Sequence, residues 1–363
     1  MRFEDRASTP AGGGAAAKRH ARVEDLAAAE TIIDARSPAE FALDHIPGAI
    51  NCPVLSNDER VLVGTLYAER GPFEARRVGG GLVAANLARH LATTLHDKPA
   101  EWRPVVYCWR GGLRSGSMVQ WLRLVGWDAR QLGGGYKQYR KHVIATIDAR
   151  APTLDLRVLS GPTGSAKTRV LNALAALGAQ TLDLEAHANH RGSVLGLLPG
   201  AVQPGQKQFE TRIATTLAPL DVARPVYVES ESRKIGRLSL PNALFERMRA
   251  SPRIEIRASA EARLELLLRD YAWLGHDRAD LIARIALLRG LQSGETIARW
   301  TGWAAEGNLP ALFADLIAGH YDPLYARSQA RTVAPARADT AVATDRLDDA
   351  DVARIASEIV AMR

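Results

Sequence analysis

The chain has 363 residues, 47% of them apolar, with 47 basic against 40 acidic side chains and a formal net charge of +7. That length suits two domains with ordinary cores. The only cysteines are Cys52 and Cys108, and no C-x-x-C is present, which argues against a disulfide framework and against a cysteine zinc site. No run of ~18 apolar residues occurs, so no membrane-spanning helix is expected. The modest positive excess suits a polyanionic partner such as RNA, although many basic proteins bind no nucleic acid.

Residues 1–21 contain Gly12-Gly13-Gly14 between short alanine runs and have no apolar core. They read as a flexible tail, not as a signal peptide. A first α/β domain is expected over 22–148. Thr31-Ile32-Ile33-Asp34 reads as a strand. Ser37-Pro38-Ala39-Glu40 reads as a helix start, with Ser as N-cap, Pro at the first helical position and Glu at the third. His45 to Asn51 is expected to turn into another strand. His45 reads as a structural hydrogen-bonder. Cys52 has no glycine loop or arginine beside it and reads as a small buried hydrophobe.

The most informative stretch is Arg103 to Ser117. Val105-Val106-Tyr107 forms a short apolar run that reads as a buried strand. Cys108 follows at its end, and then Trp109, Arg110, Gly111, Gly112, Leu113, Arg114 and Ser115. From Met118 the apolar spacing turns helical, and Gly126 supplies a stop. The thiol is thus expected on a glycine-rich turn that faces a helix N-terminus. The free N–H groups and dipole there favour an anion. Arg110 and Arg114 add fixed charge, so Cys108 is expected to be a nucleophile of lowered pKa.

Asp34-Ala35-Arg36-Ser37-Pro38, Glu40-Phe41, His45-Ile46-Pro47-Gly48-Ala49 and the Cys108 loop together resemble the rhodanese family over roughly residues 28–147. The resemblance implies a small α/β domain with a parallel sheet. It also implies a cysteine that carries a persulfide or related chalcogen adduct in a cradle of loop N–H groups. Cys108 and Arg114 equally satisfy C-x5-R, the signature of cysteine phosphatases. Those enzymes usually place His before the Cys, where this chain has Tyr107.

Gly133-Gly134-Gly135 then makes a tight turn. Tyr136, Lys137, Tyr139 and Arg140 cluster on the following segment, either as part of an ordinary surface helix or as an aromatic and basic patch for RNA. Residues 149–153 are expected as the linker and 154–363 as a second domain. A strand over Leu154 to Leu159 runs into Gly161-Pro162-Thr163-Gly164-Ser165-Ala166-Lys167-Thr168. A helix follows with Val170, Leu171, Leu174 and Leu177 on one face and Gly178 as its stop. This is the strand–loop–helix setting of a Walker A phosphate loop. Backbone N–H groups would wrap a diphosphate, Lys167 would reach the outer phosphates, and the Thr168 hydroxyl is placed to hold Mg²⁺. Ala166 stands where the pattern has Gly, and its methyl is costly if φ is positive there.

Further along, Asp183 and Glu185 at one strand end, and Glu229 and Glu231 at the end of the Pro225–Val228 strand, are candidates to position Mg²⁺ or a proton. Solvated loop acids explain Asp183 and Glu185 equally well. His187 and His190 lack a third clustered ligand, so no firm metal site is expected. Arg191, Lys207, Arg233, Lys234, Lys137 and Arg140 are candidates for phosphate or RNA contact. From about Ala260 the chain reads as mostly helical. Arg278, Arg284, Arg289 and Arg299 with Trp300 and Trp303 suit either an RNA-facing surface or a solvated face over core tryptophans. Residues 330–345 are expected as a loop and 347–363 as a last helix. The fold class is therefore a rhodanese-like α/β domain followed by a P-loop NTPase-like α/β domain with a helical C-terminal part.

Several strings in this order resemble the bacterial tRNA 2-selenouridine synthase family: C-W-R-G-G-L-R-S, G-G-G-Y-K-Q-Y-R, G-P-T-G-S-A-K-T, D-L-E-A-H-A-N-H-R-G-S, Q-P-G-Q-K-Q-F-E and E-S-E-S-R-K-I-G. The likeness spans roughly residues 28–330, with departures at Ala166 and Gly205. It implies a cytoplasmic enzyme acting on the wobble 2-thiouridine of tRNA. The sulfur is S-alkylated from geranyl diphosphate and then displaced by selenium from selenophosphate. It also implies that the P-loop holds the prenyl diphosphate. Cys108 would accept selenium as a Cys–S–Se adduct, with Arg110 and Arg114 on the phosphate. No tightly bound cofactor is expected apart from Mg²⁺. Two other classes fit the same residues less fully. One is a simple rhodanese-type sulfurtransferase or a C-x5-R phosphatase. The other is a non-catalytic tRNA-binding module.

Overall fold

The structure, a computed structural model, describes residues 20–191, 202–332 and 340–362. The expected tail up to residue 19, Gly192 and Ser193 of the motif string, and positions 333–339 of the expected loop lie outside the described residues. The chain divides into two compact units, Met1–His142 and Val143–Arg363.

The first unit holds β1 (His20–Ala21), β2 (Thr31–Asp34), α1 (Pro38–Leu43), β3 (Ile50–Asn51), α2 (Asn57–Ala92), β4 (Pro104–Tyr107), α3 (Leu113–Val125), β5 (Arg130–Leu132) and the start of α4 (Gly135–Arg150). Its five strands form a parallel sheet in the order β1-β5-β4-β2-β3. All four residues of β4 are buried, as the apolar run requires. Ile33 and Val106 meet Met118, Val119, Leu122, Leu87 and Trp102 in one core. The Ser37 N–H donates to Glu40 Oε2 at 3.2 Å, so the expected helix start forms at α1. Cys52 is fully buried, and burial pushes its thiol up to about 11. His45 Nδ1 lies 2.9 Å from the Phe41 carbonyl.

The sequence reading passed over residues 57–92, which fold as two helical arms. Ser56 and Glu59 cap the first arm reciprocally, at 3.2 and 2.7 Å. Gly71 at φ +83° followed by Pro72 breaks the run. A Cβ at Gly79 would stand 3.3 Å from the Val63 methyls, and Asn86 Nδ2 donates to Glu59 Oε2 at 2.7 Å. The arms therefore fold back on one another as a hairpin.

The second unit begins with the end of α4. The expected linker, 149–153, is the last turn of that helix and a short 3₁₀ segment, Ala151–Thr153. Then come β6 (Leu156–Ser160), α5 (Lys167–Ala176), β7 (Gln180–Leu182), α6 (Leu184–Ala188), α7 (Gln206–Leu217), β8 (Val226–Glu229), β9 (Lys234–Ile235), β10 (Leu238–Ser239), α8 (Asn242–Arg249), β11 (Arg253–Ala258) and α9 (Ala260–Asp270). After these follow α10 (Arg278–Ala286), α11 (Gly294–Glu306), α12 (Leu309–Leu316), α13 (Asp322–Thr332), β12 (Thr340–Thr344) and α14 (Asp349–Ala361). A five-stranded parallel sheet runs β12-β11-β6-β8-β7. Val170, Leu171 and Leu174 of α5 and Ile355 and Ile359 of α14 pack with Leu159 and Ile256 of the sheet. A separate helical core gathers Leu281, Ile285, Trp300, Leu312 and Phe313.

Three expectations need correction. The helix after Cys108 starts at Leu113, not Met118, because Gly112 serves as its N-cap. Arg114 and Ser115 are therefore in its first turn. Leu177 is 54% exposed, because α5 ends at Ala176 and Leu177 is only its cap. The expected loop over 330–345 contains β12, paired in parallel to β11 with Val342 opposite Ile256. Its residues, Thr-Ala-Val-Ala-Thr, bury one valine, too faint an alternation to read as a strand.

Candidate active sites

In the first unit β4 delivers Cys108 to the foot of α3. The thiol is 3% exposed. Ser115 Oγ lies 3.1 Å from Cys108 Sγ. Gln131 Nε2, from β5, donates to Ser115 Oγ at 2.8 Å and to the Gly112 carbonyl at 3.0 Å. The N–H groups of Leu113, Arg114 and Ser115 belong to the first turn of α3, where a helix leaves donors unused. The loop is closed from behind by the 133–135 turn. A Cβ on Gly135, whose φ is +57°, would lie 2.3 Å from the Cys108 carbonyl oxygen and 2.5 Å from the Gly111 nitrogen. Only glycine fits there.

Arg114 reaches back to α1. Its Nη1 donates to Glu40 Oε2 at 2.6 Å and its Nη2 to Glu40 Oε1 at 3.3 Å. Burial opposes the charge on Glu40, but the Arg114 guanidinium outweighs it and holds this carboxyl below the usual range. Arg114 is thus oriented by a fork-shaped ion pair. Arg110 and Trp109 are exposed, and the Trp109 ring sits 5.4 Å from that of Tyr136.

The patch on the start of α4 is not the surface feature the sequence suggested. Tyr136 and Tyr139 are 1% and 7% exposed. Tyr136 Oη donates to Asp44 Oδ2 at 2.6 Å, and the Arg36 guanidinium stacks 3.9 Å over its ring. Arg36 also pairs with the buried Asp34 at 2.6 Å, and Arg140 lies 3.6 Å from Asp44. Only Lys137 of this group is exposed. The aromatic spacing recorded a core-facing helix stripe.

In the second unit the P-loop follows β6 and lines a cleft of about 890 Å³. Gly161, Thr163, Gly164, Ser165, Ala166, Lys167 and Thr168 all reach it, as do Asp183, Glu185, Arg191, Glu231 and Arg233. Pro162 turns its carbonyl inward: it accepts from Ser165 Oγ at 2.8 Å. Lys167 Nζ donates to the Gly161 carbonyl at 2.8 Å and to that of Pro162 at 3.2 Å. Ala166 adopts φ +60°, ψ +22°, so the departure from glycine falls at a left-handed position. Its methyl is strained by roughly 1–2 kcal/mol.

Three carboxyl groups crowd this lysine. Thr168 Oγ1 stands 3.1 Å from both Glu185 Oε2 and Glu229 Oε2. Glu229 Oε1 accepts the Glu185 N–H at 2.9 Å, and the Glu231 carboxyl lies close enough to Glu185 to feel its charge. Burial, with Glu185 next in weight, pushes Glu231 up to about 8. Burial and the same neighbours push Glu229 well above the carboxylate range, and Glu185 rises too. Burial lowers Lys167 against the pull of Glu231, Glu185 and Glu229. Among the described residues no three His, Cys, Asp or Glu side chains are arranged to hold a metal by themselves. Thr168 with Glu185 and Glu229 still offers hard oxygen donors of the kind Mg²⁺ takes beside substrate phosphates.

Asp183 caps α6, accepting the Ala186 N–H at 2.7 Å. The Arg191 guanidinium lies 5.0 Å over the Tyr271 ring, and that of Arg233 lies 5.5 Å over Phe245. Lys207 and Lys234 are exposed and do not line the cleft. Trp300 is fully buried and donates to Asp315 at 2.8 Å, while Arg284 and Arg299 pair with Asp280 and Asp315.

Sequence reasoning missed Gln131 and Arg263. Arg263 donates from Nε to the Thr163 carbonyl at 2.9 Å and pairs with Asp322 at 2.6 Å, tying the P-loop to the C-terminal helices. No short motif surrounds either residue. Glu40 lay within the Asp34–Phe41 string, and its spacing from Ser37 marked it only as a capping residue.

Residues 16–142 match a family model described as a rhodanese-like domain, and residues 154–291 match one described as the tRNA 2-selenouridine synthase AAA domain. The tRNA 2-selenouridine synthase of Nitrosomonas europaea is 38% identical over 260 residues, covering 69% of this chain and 66% of that protein. That of Alcanivorax borkumensis is 39% identical over 243 residues, 66% of each. That of Cupriavidus necator is 37% identical over 349 residues, 87% of this chain and 93% of that protein. A rhodanese-type cysteine loop and a P-loop, in this order and with these relatives, make the chain a member of the tRNA 2-selenouridine synthase family.

Proposed function

We propose that this chain is a cytoplasmic transferase that replaces the sulfur of wobble 2-thiouridine in tRNA by selenium. The selenium comes from selenophosphate, and the route passes through an S-geranyl-2-thiouridine made from geranyl diphosphate. The observation that carries this reading is the family match in both units, one spanning the Cys108 loop and the other the P-loop. Two loops suit two phosphorylated donors.

The division of labour follows from chemistry. A thiocarbonyl sulfur leaves poorly, and an S-alkyl group leaves well. In the first step the sulfur attacks the allylic carbon of geranyl diphosphate, the carbon–oxygen bond breaks, and diphosphate departs. Lys167 and the P-loop N–H groups hold that diphosphate and stabilise the charge it gains. Thr168, Glu185 and Glu229 would hold a Mg²⁺ that supplies further charge neutralisation there. A bound phosphate and cation would favour the charged form of Lys167 and the ionised forms of the carboxyl groups around it. In the second step selenophosphate, water and the S-geranyl nucleoside give 2-selenouridine, geranylthiol and phosphate. Cys108 is the residue that meets the selenium donor, and Arg114 is oriented beside it.

The test uses tRNA bearing 2-thiouridine with geranyl diphosphate and no selenium donor. Wild type and Cys108→Ala are expected to make the S-geranyl nucleoside at similar rates. Lys167→Ala is expected to lose roughly 10²–10³-fold. Normal alkylation by Lys167→Ala would remove the P-loop from this role.

A further inference from the structure

The sequence resemblance led to the expectation that Cys108 holds selenium as a Cys–S–Se adduct. The electron count opposes it. Selenophosphate delivers selenium at the selenide level, and a sulfur–selenium bond forms from a thiol and a selenide only if something takes up two electrons. No oxidant is at hand in the reaction proposed above. A route without redox is available if the thiol attacks phosphorus instead.

We infer that Cys108 is a phosphoryl acceptor: it cleaves selenophosphate through an S-phosphocysteine and releases selenium as hydrogen selenide. This inference rests on the reading that selenophosphate is the donor. In the first half-reaction the Cys108 sulfur–phosphorus bond forms and the phosphorus–selenium bond breaks. Selenium leaves with that electron pair and takes the thiol proton. In the second, water attacks phosphorus, the sulfur–phosphorus bond breaks, and the thiol and phosphate return. Selenium, phosphorus and sulfur keep their oxidation states throughout. The hydrogen selenide then displaces geranylthiol from the alkylated nucleoside.

Three features of the loop fit phosphoryl transfer. Five residues separate Cys108 from Arg114, which gives the loop several backbone N–H groups to turn toward a tetrahedral oxyanion. Glu40 fixes the Arg114 fork from behind at 2.6 Å, so the guanidinium plane is set before an anion arrives. Most directly, the fully buried Ser115 hydroxyl lies 3.1 Å from Cys108 Sγ. Gln131 fills the acceptor side of that hydroxyl at 2.8 Å, which leaves its proton for the sulfur or for the Gly112 carbonyl at 3.4 Å. A donor on the sulfur stabilises it as it departs from phosphorus, which is the hard part of the second half-reaction.

The experiment mixes the full chain with ³²P-labelled selenophosphate, quenches by denaturation, and measures ³²P and selenium on the desalted protein. Wild type is expected to show a transient ³²P label, mapped to the Cys108 peptide, with no selenium retained. Cys108→Ala is expected to take no label. Ser115→Ala is expected to form the label but lose it roughly tenfold or more slowly. Ser115→Thr keeps the hydroxyl, is expected to restore turnover, and so separates loss of the donor from loss of the fold. Selenium held on Cys108 without ³²P, or Ser115→Ala turning over like wild type, would overturn the inference. If S-geranyl tRNA is converted with another selenium source while selenophosphate is left untouched, the donor reading falls, and the phosphocysteine with it.

Discussion

The cysteine loop and the P-loop are built in opposite ways. Around Cys108 the charges are already matched: Arg114 is paired with Glu40, and the sulfur rests against a hydroxyl. The strained backbone positions there are given to glycines such as Gly135. Around Lys167 the ionisable groups are crowded. Three carboxyl groups with raised pKa values press on one buried lysine, and an alanine occupies a left-handed position. The first site is ordered by matched partners, whereas the second buries several ionisable groups around one lysine at a desolvation cost.

The sharpest way to break that contrast is to exchange one methyl at each loop. Gly135→Ala forces a Cβ to 2.3 Å from the Cys108 carbonyl oxygen. It should destabilise the chain by about 1–3 kcal/mol and abolish the labelling of Cys108, read by thermal unfolding and by the ³²P assay. A Gly135→Ala protein with unchanged reactivity would show that the 133–135 turn does not shape the cysteine loop.

A middle-sized effect is expected from pH. Glu231 has a folded value of about 8 against 4.5 for an ordinary glutamate, so the folded state binds its proton more tightly. The stability this contributes is fully present below the ordinary value and is lost as pH rises through about 8. The Tm of the P-loop unit should therefore fall across that window in wild type and fall less in Glu231→Gln. Mg²⁺ with diphosphate should raise Tm more at the alkaline end than at the acid end. Equal slopes in both proteins would show that Glu231 does not carry this pH dependence.

The smallest effect should come from Ala166→Gly. Relief of the left-handed backbone is offset by the greater chain entropy of glycine and by one lost buried methyl. The net change should be a gain of no more than about 1 kcal/mol, measured by denaturant unfolding. A clear loss of stability would mean that the Ala166 methyl packs better than its backbone is strained.

How much of this was legible depends on range in sequence. The Cys108 loop and the P-loop could be read because their parts lie within eight consecutive residues each, and glycine spacing carries the backbone geometry. The Ser37–Glu40 helix start could be read for the same reason. What was missed lies far away in sequence. Gln131 meets Ser115 from another strand, and Arg263 meets Thr163 across 100 positions. The α2 hairpin was passed over because apolar and charged residues alternate without a clean stripe, and its fold-back depends on Gly71 and on packing at Gly79. Tyr136 and Tyr139 were misplaced because an aromatic stripe beside arginines looks alike whether it faces solvent or a buried Asp44.

In the proposed function one chain alkylates at the P-loop and selenates at the cysteine loop. The most direct measurement is nucleoside mass spectrometry on 2-thiouridine tRNA given both geranyl diphosphate and selenophosphate. Wild type should yield 2-selenouridine, Cys108→Ala should stop at the S-geranyl nucleoside, and Lys167→Ala should leave 2-thiouridine unchanged. Formation of 2-selenouridine by Cys108→Ala, or accumulation of the S-geranyl nucleoside with Lys167→Ala, would contradict it.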